Sequence, residues 1–297
     1  VAFPTTGVNF GDLPVKYSSF DESAIVLLPV PYDETSTWIK GADKGPQALL
    51  EASANMEIYD IATDSCIYRC GIHTAPPVEV RETPEAMVRA VYKHTSDFLQ
   101  RNKFVVTLGG DHSVSIGAIQ AHFALYPNLT VLQLDAHADM RDDFLGSKFN
   151  HACVMARVKE MGPLVQVGIR SMSYEEKAMI DADRIYYAAQ IIDNSAWIDR
   201  MLGQLSDNVY ITIDLDVFDP SIMPSTGTPE PGGLDWYSVL QILERVVQTK
   251  NLVGFDVVEL CPNALNKAPD FLAAKLIYQL LSLKFSQQQK RQLHEET

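Results

Sequence analysis

The 297-residue chain is acidic, with 24 Lys and Arg against 38 Asp and Glu and a formal net charge of -14. Its 46% hydrophobic residues, 9% aromatics and modest 16 Gly and 16 Pro exclude a collagen-like, low-complexity or wholly disordered chain. The charge balance argues against nucleic-acid binding, which needs clustered Lys and Arg, and favours a cationic ligand over an anionic one.

Residues 1–23 are polar and irregular and read as an N-terminal arm or cover, without the basic start and apolar centre of a secretory signal. Ala24 to Leu28 reads as a buried strand ending at Pro29, and Gly45-Pro46 opens a helix toward Ala54. A short strand is expected around Ser65 to Tyr68, and Pro84 begins a helix through about Gln100 with apolar positions at helical spacing. From there strands and helices alternate: strand Phe104 to Leu108, helix Ser113 to Leu125, strand Leu129 to Leu134, helix His151 to Lys159, strand Leu164 to Ile169. The series continues with helix Ser173 to Ile180, strand Ile185 to Tyr187, helix Ile191 to Leu205, strand Val209 to Ile213, helix Asp235 to Val247 and strand Leu252 to Val257. A last helix runs from about Pro269 to Leu283, and residues 287–297 form a polar tail.

Such alternation predicts right-handed crossovers onto a mainly parallel sheet covered by helices on both faces. Eight candidate strands fit an open sheet or a closed barrel. Residues 24–286 read as a single domain, since nothing between them resembles a linker. No apolar run approaches the roughly 18 residues of a membrane span, so a soluble, cytoplasmic protein without a membrane partner is expected. Cys66, Cys70, Cys153 and Cys261 are read as isolated thiols, because a chain this long needs no disulfide staple, with a redox or zinc role for Cys66 and Cys70 beside His73 as the alternative.

The chemistry-bearing residues follow strand ends. Gly109-Gly110-Asp111-His112-Ser113 allows a tight exit that leaves His112 at the carboxyl edge of the sheet. Asp135-Ala136-His137-Ala138-Asp139 would project its three polar residues to one region if the strand continued through them. Asp214-Leu215-Asp216 repeats the two-residue spacing after another apolar strand. Burying four carboxylates there without cations would be very costly. Two imidazoles, His112 and His137, with Asp135, Asp139, Asp214 and Asp216 therefore read as ligands of two divalent ions, whose charge balances the carboxylates. Mixed nitrogen and oxygen ligation suits manganese. A single metal or a polar structural network is the alternative on these residues alone.

The blocks GGDHS at 109–113, DAHAD at 135–139, DLDVFDP at 214–220 and STGTPEPGG at 225–233 resemble the ureohydrolase family, which includes arginase and agmatinase. The opening segment PVPYDETSTWIKGADKGP at 29–46 resembles the agmatinase branch, and the similarity extends from about residue 24 to residue 283. The resemblance implies an α/β three-layer sandwich around an eight-stranded, mainly parallel sheet, two Mn2+ per subunit, and a homotrimer or homohexamer. It also implies that His112 and Asp139 complete one ion's ligands, His137 and Asp216 the other's, with Asp135 and Asp214 bridging.

By the same resemblance His151 is the proton-shuttling histidine and Glu259 the carboxylate that holds a guanidinium group. His151-Ala152-Cys153 and Glu259-Leu260-Cys261-Pro262 depart from the HG(T/S) and EVNP patterns of many relatives. Asp219, Thr228 and Glu230 are expected to support the site without binding metal. The implied reaction is hydrolysis of a small guanidino substrate: agmatine to putrescine and urea, with 4-guanidinobutyrate or arginine as the alternative. Asp142 and Asp143 read first as ordinary solvated residues of a polar loop, with attraction of the far ammonium of agmatine as the alternative, and Arg141 could receive the carboxylate of guanidinobutyrate.

Overall fold

Eight strands pair into one open, wholly parallel sheet in the computed structural model, which describes residues 8–192 and 195–295. The strands are β1 (Ile25–Val30), β2 (Ile72–Thr74), β3 (Phe104–Gly109), β4 (Leu129–Leu134), β5 (Leu164–Ile169), β6 (Ile185–Tyr187), β7 (Asn208–Asp214) and β8 (Asn251–Val258). Their order is β2-β1-β3-β8-β7-β4-β5-β6. The sheet ends on β2 and β6, three residues each, so little strand edge is offered for pairing with another chain.

Helices α1 (Val15–Ser18), α2 (Gly45–Ser53), α3 (Pro84–Leu99), α4 (Ser115–Leu125), α5 (Val154–Met161), α6 (Ala188–Ile191), α7 (Ala196–Gln204), α8 (Trp236–Thr249) and α9 (Ala268–Glu295) link and flank the strands. Side-chain alternation divides the interior into two apolar layers. Leu27, Val106, Leu132 and Ile211 pack with Leu49 of α2, Met201 of α7, Leu243 of α8 and Leu276 of α9. Their neighbours Val26, Val105, Val131 and Tyr210 join Val91 of α3, Ile119 of α4 and Val158 of α5 on the other side. Burial on both faces explains why the central strands read as continuous apolar runs rather than alternating ones. No helix among the described residues is long and apolar enough to cross a membrane.

Several boundaries differ from the sequence-based expectation for local reasons. β1 continues through Pro29, which pairs with Leu108 of β3. The carbonyl of Pro29 faces Val78, on the side where β2 has already ended, so the missing N–H interrupts no ladder. The second strand lies at Ile72–Thr74 instead of Ser65 to Tyr68; Ile67–Cys70 is a 3-10 turn closed by Gly71 at φ 77°. The helix expected over Ser173 to Ile180 is reduced to the 3-10 turn Glu176–Ala178. The Glu176 carboxylate accepts from the backbone N–H groups of Met140 and Ser173 and so ties this segment to the loop after β4. α9 carries helix through Glu295, beyond the expected end at Leu283. Of the expected arm, Phe10 and Leu13 are buried in the core, whereas residues 1–7, like residues 296–297 of the tail, lie outside the described residues. The four cysteines are free thiols.

The topology decides where chemistry occurs. β3, β8, β7 and β4 are adjacent at the centre of the sheet, so that β3 and β4 of one part of the chain pair with β8 and β7 of a distant part. Strand order reverses there, and an open parallel sheet has its binding crevice beyond the carboxyl ends at such a switch point.

Candidate active site and metal centre

The carboxyl ends of these four strands surround a cavity of about 290 Å³. Seven of the eight site residues expected from sequence line it: His112, His137, Asp139, His151, Asp214, Asp216 and Glu259. The eighth, Asp135, is completely buried but approaches His112 to 3.1 Å.

Asp135, His137 and Asp139 do not converge by continued strand alternation. β4 stops at Leu134, and a turn takes over in which His137 N–H donates to Asp135 Oδ1 at 2.6 Å. Ser171 N–H donates to Ala136 O, and Ala138 N–H to Ser171 O, so this turn pairs with the segment after β5. Asp139 has φ 52°, the left-handed conformation that redirects its carboxylate toward His112. Glu259 is similarly left-handed, at φ 66°. Two non-glycine residues held this way at one site fit a geometry imposed by the surrounding fold. On β7, the Asp214 carboxylate accepts from Asp216 N–H, and Asp216 Oδ1 accepts from Ala136 N–H at 3.0 Å, joining the two acidic turns.

Among the described residues, two groups could each hold a metal ion: His112, Asp135 and Asp139, and Asp135, His137 and Asp216. Asp135 belongs to both. Asp214 stands in neither, although its Oδ2 lies 3.3 Å from His112 Nδ1.

The donor set fits a cation on a specific atom. Thr212 Oγ1 donates to Asp256 Oδ1 at 2.7 Å and therefore accepts from His112 Nε2–H at 2.8 Å. In the neutral imidazole this leaves a lone pair on Nδ1. That nitrogen is buried, faces Asp135 Oδ2 at 3.1 Å, Asp139 Oδ2 at 3.0 Å and Asp214 Oδ2 at 3.3 Å, and makes no aligned hydrogen bond with them. Electron-rich atoms so placed repel unless positive charge lies among them.

The titration behaviour has the same cause. Burial depresses the His112 pKa, but Asp135, Asp139 and Asp214 outweigh it and hold the imidazole well above its ordinary value. Burial and the adjacent Asp135 push Asp139 up to about 7, and burial with Asp216 and Asp135 lifts Asp214 well above the carboxylate range. His137 Nδ1 lies 2.8 Å from Asp216 Oδ2, while its Nε2 is 3.9 Å from Glu230 Oε1. Nδ1 therefore faces the acidic cluster, and Glu230 stands near the outer nitrogen.

Glu259 Oε1 accepts from His112 N–H at 2.8 Å. Burial, then repulsion from Asp111, raises its pKa well above the ordinary value, so a cation entering the cavity meets a carboxyl short of positive partners. Thr228 also lines the cavity, and Asp219 accepts from the N–H groups of Ser221, Gly232 and Gly233 in the adjoining turn.

The structure does not bring Asp142 or Asp143 to the cavity. Asp142 holds the buried Arg157 at 2.6 Å and Lys148 at 3.1 Å, and Asp143 accepts from Gly146 N–H. Glu176, which sequence reasoning missed, is the carboxylate at that wall, with Arg141 lying 3.9 Å from its Oε2 and over the Phe144 ring at 4.6 Å. Its sequence surroundings read as an ordinary charged helix, which concealed it.

Sequence reasoning also missed Thr35 and Asp111. Asp111 is fully buried and accepts from Thr35 N and Oγ1 and from Ser113 N and Oγ. The approach of the two loops is tight, because a Cβ on Gly110 would lie 1.8 Å from Tyr32 O. Gly110→Ala is accordingly expected to destabilise the protein by about 1–3 kcal/mol through overpacking against backbone. An unchanged urea midpoint in that variant would contradict so close an approach.

A family model described as Arginase family matches residues 23–282 of the chain. The N(1)-aminopropylagmatine ureohydrolase of Synechocystis sp. is 40% identical over 286 residues, covering 92% of this chain and 93% of that protein. The agmatinase of Pyrococcus horikoshii is 33% identical, covering 92% of this chain and 96% of its own length. Among solved structures, the agmatine ureohydrolase of Thermoplasma volcanium superposes with a TM-score of 0.83 at 30% identity, covering 92% of this chain and 94% of that one.

Proposed function

The chain belongs to the arginase family, and on that premise we propose that it hydrolyses a linear guanidino-amine without a carboxylate: agmatine carrying an aminopropyl extension, or agmatine itself. It is an agmatinase-like ureohydrolase acting on amidino C–N bonds. The observation that carries the substrate reading is Glu176. It places on the cavity wall, besides Glu259, a carboxylate outside the metal-ligand set, and it stands 3.9 Å from Arg141, the residue that a carboxylate-tailed substrate would need. The extended substrate comes first because the 40% identical relative bears that name, ahead of the 33% identical agmatinase.

His112 and Asp139 would hold one divalent ion, His137 and Asp216 a second, and Asp135 and Asp214 would bridge. Manganese suits this donor set. When bound, the ions neutralise the carboxylates and supply Lewis acidity that lowers the pKa of a water. The protein's own groups do the rest. Glu259 receives the planar guanidinium through charged hydrogen bonds, and the acidic walls favour the cation over neutral solutes. Water adds to the guanidinium carbon, the C–N bond to the alkyl chain breaks, and urea and an alkylammonium leave. His151, at the cavity wall, moves the proton that the departing nitrogen requires.

The test is kcat/KM on N1-aminopropylagmatine, agmatine, 4-guanidinobutyrate and arginine with Mn2+ present. Both amine-tailed substrates are expected to exceed both carboxylate-bearing ones by at least about 100-fold, the equivalent of roughly 3 kcal/mol. A carboxylate-bearing substrate at the top of the panel rejects the reading. Glu176→Gln should raise KM for the amine-tailed substrates about tenfold and leave 1-butylguanidine, which has no far charge, within about twofold. Equal losses on charged and neutral tails would remove Glu176 from substrate recognition.

A further inference from the structure

The loop after β1 brings a hydroxyl to His151. Thr35 Oγ1 donates to Asp111 Oδ2 at 2.8 Å, accepts from the His151 backbone N–H at 3.0 Å, and lies 3.3 Å from His151 Nδ1. A hydroxyl has one proton and two lone pairs. The Asp111 oxygens already receive four donors, two from Thr35 and two from Ser113, which leaves them in the accepting role. The Thr35 proton is therefore committed to Asp111, and its lone pairs are available only to N–H groups. Nδ1 of His151 must then be the protonated nitrogen of the neutral ring.

We propose that Thr35, anchored by Asp111, is a positioning residue that holds His151 in the Nδ1–H tautomer and leaves Nε2 as the nitrogen that takes and returns the proton. The proposal rests on the proton-moving role given to His151 above. As the C–O bond forms, a water proton passes to Nε2 and the ring becomes imidazolium. As the C–N bond breaks, the same proton passes to the departing nitrogen and the Nδ1–H imidazole is restored. The second water proton, left on the hydroxyl oxygen, ends on the amine as the urea carbonyl forms, so the products are urea and an alkylammonium and water is the proton source for both transfers. Burial lowers the His151 pKa, favouring the neutral ring at rest, while Asp111 behind Thr35 favours the transient cation. A carboxylate that acts on a histidine from behind, without taking its proton, follows the same logic as in hydrolase triads.

The loop has ties that do not depend on the Thr35 hydroxyl. Asp111 N–H donates to Tyr32 O at 2.7 Å, and Thr35 N–H donates to Asp111 Oδ2 at 2.9 Å. Thr35→Val thus removes the hydroxyl and keeps both. Metal-replete Thr35→Val, Thr35→Ser, His151→Ala and the Thr35→Val/His151→Ala double variant should be compared with the parent for kcat, KM, metal content and affinity for guanidinium chloride. Thr35→Val is expected to lower kcat by about 10- to 100-fold. Its KM, metal content and guanidinium affinity should stay within about twofold, and Thr35→Ser should recover kcat to within about threefold. In the His151→Ala background, Thr35→Val should cost nothing further. In the metal-free protein, 15N NMR of the histidine rings should show His151 protonated on Nδ1 in the parent and in Thr35→Ser, with that signature lost in Thr35→Val. Normal kcat in Thr35→Val beside an impaired His151→Ala overturns this inference alone, as does a loss that Ser fails to rescue or that persists without His151. Full turnover in His151→Ala removes the premise and the inference together.

Discussion

Asp135→Ala is expected to lose both metal ions, not one, and to lower turnover by at least about 1,000-fold. Asp135 is the carboxylate common to the two ligand groups, with Oδ2 3.1 Å from His112 Nδ1 and Oδ1 3.7 Å from His137 Nδ1. The size of the loss follows because several kcal/mol of charge stabilisation are at stake, and each loss of about 1.4 kcal/mol is tenfold in rate. Metal analysis after dialysis, with calorimetric titration of Mn2+ into the metal-free protein, reads the effect directly. Two ions bound with parental affinity in the variant would end the bridging assignment. The same titrations should show affinity falling as pH is lowered, because protons on His112 and Asp139 compete for the lone pairs that ligate metal. The Asp139 carboxyl, raised to about 7 by burial and by Asp135, takes up its proton within a readily tested range.

Glu259→Gln should separate substrate capture from metal binding. The variant keeps the size of the side chain and an oxygen for His112 N–H, so both ions should remain at parental stoichiometry. What it loses is negative charge facing the guanidinium. Removing one member of a desolvated charge pair costs about 2–5 kcal/mol, or roughly 30- to 5,000-fold in kcat/KM. The folded state should respond in the opposite sense, because a buried carboxylate lifted by burial and by Asp111 is costly to keep. A higher thermal midpoint in the ligand-free variant, together with weaker guanidinium binding, is therefore expected. Parental guanidinium affinity in folded, metal-replete protein would transfer the capture role to another carboxylate, with Glu176 the first to test.

Much of the site was legible because its signals are local. Four apolar runs ending in GGDHS, DAHAD, DLDVFDP and FDVVEL carry their own strand periodicity, and each places polar residues just beyond a strand end. Acidic and imidazole groups at such ends imply cations from charge alone. The strands themselves were read to within about two residues because parallel strands buried on both faces are written as uninterrupted apolar stretches. The exception, β2, is three residues long at the sheet edge and has too little pattern to be distinguished from the neighbouring turn.

Convergence was decided only by tertiary structure. The sequence determined which residue types follow each strand. Hydrogen bonding between strands determined that β3, β8, β7 and β4 lie side by side, and thereby that His112, Glu259, Asp214 and Asp135 meet. Asp139 reaches His112 through a left-handed turn stabilised by the segment after β5, not through the strand alternation that its spacing suggested. Asp142 pairs with the buried Arg157 and with Lys148 outside the cavity, and Glu176 takes the wall position from a segment that reads as a plain helix. Thr35 and His151 are separated by 116 positions, and no periodicity in either segment encodes their contact. Local sequence specifies backbone preference and chemical type over about a dozen residues. Which distant side chains share a hydrogen bond depends on how buried backbones pair and which buried polar atoms must be satisfied, and those conditions exist only once the sheet has formed.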